Sequence, residues 1–259
     1  QPGFTECFAP DGQPPRAGEL FRNPAQAATL QKIAETKGEA FYRGELAEKM
    51  VAFAEQHGAA LSIADLNNHR ADWVDLLSRP FADGSVQGLP PNGQGIATLI
   101  ALGILEQWDI GSYTPDSVPW LHLSIEAMKL ALVDLDRYVT DYDHLEFPAE
   151  LLLSDSYLKQ RAQLINPDQA GDFTFGSPQQ SGTVYLSTAD ASGMMVSFIQ
   201  SNYMGFGSGV VVPDTGISLQ NRGCGFSLDP QHPNVVAGSK RPFHTIIPAF
   251  ALDAAGQPL

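Results

Sequence analysis

Cysteine is almost absent, with Cys7 and Cys224 the only two in 259 residues. Two thiols so far apart, without CxxC spacing, exclude a disulfide framework and a cysteine-held metal or redox site. Basic residues are scarce as well, 15 Lys and Arg against 29 Asp and Glu, for a net charge of −14. With no basic run to track phosphates, the chain is not expected to bind nucleic acid, and its scattered acidic residues read as a solubilising surface. No apolar run reaches the roughly 18 residues needed to cross a bilayer. The opening residues, QPGFTECFAPDG, also lack a basic segment followed by an apolar one. A membrane span is therefore not expected, and the compartment is left open between cytoplasm and periplasm or exterior, leaning to the cytoplasm. The six histidines show no HExxH or paired spacing, so no catalytic metal is expected.

What is present suits a folded chain: 43% apolar and 17% charged residues, in a length that buries roughly 70–75% of the unfolded surface. Asn23-Pro24 supplies an N-cap and first-turn proline for a helix ending near Gly38, with Ala27, Leu30, Ile33 and Ala34 at helical spacing. Leu46, Met50 and Phe53 mark a second helix over about 45–56, and Ser62 with Asp65 forms a modest capping box for a third. A turn-rich passage poor in strands precedes a helix over about 95–107. Two further helices are expected at about 119–139 and 156–165. On the longer one, Leu121, Ile125, Met128, Leu132 and Leu135 are assigned to the core, while Glu126, Lys129, Asp134 and Asp136 are assigned to a solvated face. The glycines near Gly93 and Gly95, and those of GFGSGVVVPDTG, lack the strand, helix and third glycine of a nucleotide-binding loop.

After about residue 170 the hydrophobic period changes to two. TVYLSTAD, MMVSFIQSN, ISLQN and HTIIPAFALD read as strands, so helices come first, strands follow, and an α+β fold is expected. The last of these strands is followed by a turn, AAGQPL, without a return strand. A lone terminal strand leaves its edge unpaired, so the chain is expected to be part of a longer gene product.

The stretch SGTVYLSTADASG is the chemical focus. The run ahead of it, FGSPQQSG, could be a linker, a substrate loop or a cut site. A turn centred on Ser192 makes cross-strand partners sum to about 384, which sets Ser201 opposite Thr183. By itself that is an ordinary hydroxyl pair. Cutting Gly182–Thr183, however, would give Thr183 an α-amino group with a pKa of about 7.7–8.0, a base within reach of its own Oγ. Nucleophile and base would then share one residue, without any Ser/His/Asp order in the chain.

TVYLSTADASGMMVSFIQSNYMGFGSGVVVPDTGISLQNRGCGFSLDP, followed by KRPFHTIIPAF, resembles the γ-glutamyltransferase (γ-glutamyltranspeptidase) family of N-terminal nucleophile hydrolases. Upstream, GEAFYRGELAEKM, LPPNGQGIATLIALGILE and HLSIEAMKLALVDLDRYV resemble the second half of that family's large subunit. The resemblance implies a four-layer αββα sandwich, here as a partial chain. Residues 1–182 would be the C-terminal part of the large subunit and 183–259 the N-terminal part of the small one. It implies cleavage at Gly182–Thr183, Thr183 as nucleophile, and Ser201 in place of a Thr that hydrogen-bonds it. No cofactor is implied.

The substrates would be γ-glutamyl amides such as glutathione, with water, an amino acid or a peptide as acceptor. Tyr203 stands where the family has a substrate-binding Asn, Gly225 where it has an Asp that pairs with the substrate ammonium, and His244 and Thr245 where a Ser pair holds the carboxylate. Losing the charge-assisted contact at 225 weakens glutamyl selectivity and favours an acylase for glutaryl-type or other acyl amides. A non-catalytic relative is the reading of another class. The family's carboxylate-binding Arg and Gly-Gly oxyanion motif fall outside the matched stretch, so the remaining segments of the gene product are expected partners.

Overall fold

The computed structural model describes residues 1–173 and 183–259. The FGSPQQSG run, Gly182 included, lies outside the described residues. In chain order, helices α1 (Phe4–Phe8), α2 (Pro24–Glu35), α3 (Glu39–Arg43), α4 (Glu45–Gln56) and α5 (Ile63–Asn68) come first. Strands β1 (Leu77–Phe81) and β2 (Gly84–Gly88) and helices α6 (Gly95–Leu105), α7 (Val118–Tyr138) and α8 (Asp155–Ala162) follow. Then come β3 (Thr183–Ala189), β4 (Met195–Ser201), β5 (Val211–Val212), β6 (Ile217–Ser218) and β7 (Ala249–Leu252). These elements form two compact units, residues 1–73 with 202–221 and residues 74–201 with 222–259.

In the first unit the helix starts obey the capping signals. Asn23 accepts from the Gln26 amide at 2.9 Å, and Ser62 and Asp65 complete a reciprocal capping box. Leu46 and Met50 of α4 pack with Val212 and Ile217 of the β5–β6 ribbon. On α2 the inward residue is Thr29, whose Oγ donates to the Thr215 carbonyl at 2.8 Å, while Leu30 is exposed. The polar contact decides that face, contrary to the apolar spacing.

The second unit is built on α6, which is apolar on nearly every side and correspondingly buried from Ile96 to Leu105. It packs against Leu123, Ala127, Leu130 and Ala131 of α7 and Leu158 of α8. Beside it lies an antiparallel sheet in the order β1-β2-β7. This sheet corrects the expectation that residues before 170 are strand-poor. Pro80 had suggested a turn, but it sits on the edge strand β1, where a missing amide hydrogen is tolerated. Gly84 is required there, since a Cβ would stand 2.1 Å from the Leu252 carbonyl oxygen. The terminal strand is not lone either. β7 pairs with β2, Ser85 opposite Leu252 and Gly88 opposite Ala249.

Helix α7 departs further from its periodicity. Ile125 is 56% exposed, with Leu121 and Met128 on the same open side, whereas Glu126 and Asp134 are only 1% and 3% exposed. The two carboxylates tolerate burial because each has partners. Glu126 accepts from Lys129 at 2.8 Å and from the Gly171 amide at 2.7 Å. Asp134 pairs with Arg161 at 2.9 Å. Small Ala127 and Ala131 on that face let α6 approach.

Candidate active site

The β3–β4 hairpin is set by its turn. Asp190 Oδ1 accepts from the Ser192 amide at 2.8 Å, the Ser192 hydroxyl at 2.6 Å and the Met194 amide at 3.2 Å. These bonds, Ser192's hydroxyl foremost, hold the Asp190 carboxyl below its ordinary pKa. Gly193 closes the turn at φ 86°, a left-handed value that suits glycine. The register that follows sets Thr183 opposite Ser201 and Ala189 opposite Met195. Thr183 Oγ donates to Ser201 Oγ at 3.1 Å. Every residue of β3 is exposed, so the hydroxyl pair is open to an incoming group.

A second cluster gathers in the same unit. Arg222 to Gly225 make a single 3-10 turn. Gly225 lies so close to the 242–245 segment that a Cβ would stand 2.8 Å from the Phe243 carbonyl oxygen. No side chain fits there without moving backbone. Asn92 anchors the segment by donating to the Pro242 carbonyl at 2.7 Å. The His244 amide donates to the Asn92 carbonyl at 3.0 Å, and the His244 carbonyl accepts from Gln94 at 2.8 Å. His244 borders a small cavity of about 140 Å³ with Asn92, Gly93 and Ile246. Burial, reinforced by the charge of Arg222, pushes its imidazole down to about 4, so the ring is neutral at pH 7. The Ile246 amide donates to Nδ1 at 3.4 Å, which fits a neutral ring protonated at Nε2.

Thr245 Oγ accepts from Arg222 Nη1 at 3.1 Å. The guanidinium itself is 4% exposed. Arg222 is the residue that reading the sequence missed. Its one local signal is a lone arginine inside the glycine-rich NRGCG; the partners that give it meaning lie some 20 residues on.

The expected residues thus fall into distinct groups. Thr183 and Ser201 touch, and Gly225, His244 and Thr245 converge around Arg222. Tyr203 belongs to the other unit, where it adopts a left-handed backbone at φ 78°. Gly182 lies outside the described residues. Cys7 and Cys224 are free thiols and take no part in either cluster.

A family model described as Gamma-glutamyltranspeptidase matches residues 1–259. The chain is 41% identical over 252 residues to the oxamate amidohydrolase proenzyme of Klebsiella pneumoniae, covering 97% of this chain and 47% of that protein. It is 39% identical over 253 residues to the glutathione hydrolase-like YwrD proenzyme of Bacillus subtilis, covering 96% and 47%. Among solved structures, the cephalosporin acylase from Bacillus halodurans is similar at a TM-score of 0.88 and 46% identity, over 99% of this chain and 46% of that one. The chain spans about half the length of the curated relatives it matches.

Proposed function

The chain belongs to the gamma-glutamyltranspeptidase family, whose fold is that of the N-terminal nucleophile hydrolases, and from that premise we propose that Thr183 is the nucleophile of a self-processing amide hydrolase and acyltransferase. In the precursor, Thr183 Oγ attacks the Gly182 carbonyl and an N-to-O shift converts the amide to an ester. Water then hydrolyses the ester, freeing the Thr183 amine and separating residues 1–182 from the part that begins at 183. The freed amine takes the Oγ proton as Oγ attacks the substrate amide, then returns it to the leaving amine. The acyl-enzyme ester passes its acyl group to water, an amino acid or a peptide. Segments of the same gene product beyond this stretch supply the oxyanion donors, each worth about 10²–10³ in rate.

The observation that carries this reading is the 3.1 Å Thr183–Ser201 hydrogen bond on an exposed hairpin end. Such a contact orients Oγ and stabilises charge developing on it. The substrates proposed are γ-glutamyl amides such as glutathione. An acylase for glutaryl-type amides is the second reading, favoured by Gly225, where the packing against Phe243 leaves no room for an ammonium-pairing carboxylate side chain.

The full-length protein and its Thr183→Ala variant, compared on a denaturing gel, test the mechanism. Two fragments from the wild type and a single band from the variant are expected. One unprocessed band from both, across several conditions, rejects self-processing.

A further inference from the structure

The Thr245 hydroxyl oxygen accepts a hydrogen bond from a guanidinium that is itself buried in protein. Because that oxygen already accepts, the hydroxyl's own proton is directed away from Arg222, and the cation polarises it into a better donor. His244 next to it is neutral at pH 7. At position 225 no acidic side chain can be seated against the Phe243 carbonyl. Arg222, Gly225, His244 and Thr245 therefore present a cationic, donor-rich surface. A positive charge buried in low dielectric repels an incoming ammonium and attracts a carboxylate more strongly than it would in water.

We propose that Arg222 and Thr245 form an anion-recognising pair for the acyl part of the substrate, so that the enzyme prefers monoamides of dicarboxylic acids that carry a carboxylate and no ammonium. Thr245 makes the contact and Arg222 is a positioning residue that acts through it. This rests on Thr183 being the nucleophile, and it selects the substrate class within that chemistry by a residue on a different segment of the chain.

The test uses the processed full-length protein and four p-nitroanilides that differ only in charge near the acyl terminus: glutaryl, butyryl, 4-aminobutyryl and γ-glutamyl. Expected in the wild type is a kcat/KM for glutaryl about 30-fold above butyryl and about 10-fold above γ-glutamyl, with 4-aminobutyryl lowest, as befits one charge-assisted hydrogen bond gained or opposed. Arg222→Gln should bring the glutaryl-to-butyryl ratio to within about threefold, with the loss mainly in KM, and Arg222→Lys should recover part of it. A merely structural arginine would lower all four substrates together.

A γ-glutamyl anilide cleaved as well as or better than the glutaryl one overturns the proposal. So does a ratio that Arg222→Gln leaves unchanged. The wild-type series decides the matter by itself should Arg222→Gln fail to fold. A wild type that neither processes nor cleaves any anilide removes the nucleophile and this proposal together. One that processes and cleaves with no charge preference removes this proposal alone.

Discussion

Thr183 has a hydroxyl neighbour in Ser201, and the proposed reaction needs both hydroxyls. Ser201→Ala should lower kcat about tenfold with little change in KM, the worth of one hydrogen bond strengthened as Oγ gains charge. Ser201→Thr should retain most activity. The proposed base is the freed amine of Thr183, so kcat/KM should rise with pH through about 8 and fall away below it. His244 predicts a separate, stability-level pH effect. Its folded pKa of about 4 lies below the ordinary 6.5, so the unfolded chain binds more protons between those values. Stability is then present above pH 6.5 and is lost as pH falls toward 4, by about 1–2 kcal/mol once partial exposure is discounted. Urea unfolding across pH 4–7 should show this slope, and His244→Gln should flatten it. The Thr183–Ser201 pair was readable from strand period and turn position. Arg222 was not, because a buried cation is recognised by what surrounds it, and Thr245 is 23 positions away.

At the scale of elements, the hairpin turn and helix α7 carry opposite lessons. Asp190, Ser192 and Gly193 act locally, so the hairpin register followed from residues within five positions of one another. Gly193→Val places a β-branched residue at φ 86° and should destabilise the hairpin by about 1–3 kcal/mol, read as slower self-cleavage on the same gel. Helix α7 was correctly placed, but its buried face was not. Its apolar Leu121, Ile125 and Met128 face outward while Glu126 and Asp134 are covered, and the partners that make this tolerable, Gly171 and Arg161, belong to distant segments. Asp134→Ala should cost about 3 kcal/mol by stranding the Arg161 charge, measurable by urea unfolding. Replacing both members of the pair by apolar residues of similar volume should recover most of that loss.

At the scale of the molecule, both strands of the β3–β4 hairpin carry exposed apolar side chains, Val184, Leu186, Val196 and Phe198 among them, the last 47% exposed. Relatives are about twice as long as this stretch, and so much apolar surface is costly to leave in water. Residues 1–259 by themselves should therefore bind the dye ANS and aggregate, whereas the full-length protein should do neither. Fluorescence and light scattering of the two, side by side, measure the difference. The α+β class, the helices from Asn23 onward and the Thr183–Ser201 register were determined by sequence, because caps, turns and period act over a few residues. The β1–β2–β7 sheet, the buried face of α7 and the cationic cluster around Arg222 were decided by tertiary structure. Each depends on a partner brought from far along the chain: β7 for β2, Arg161 for Asp134, Thr245 for Arg222. Only folding makes a proline edge strand, a buried carboxylate or a buried guanidinium affordable.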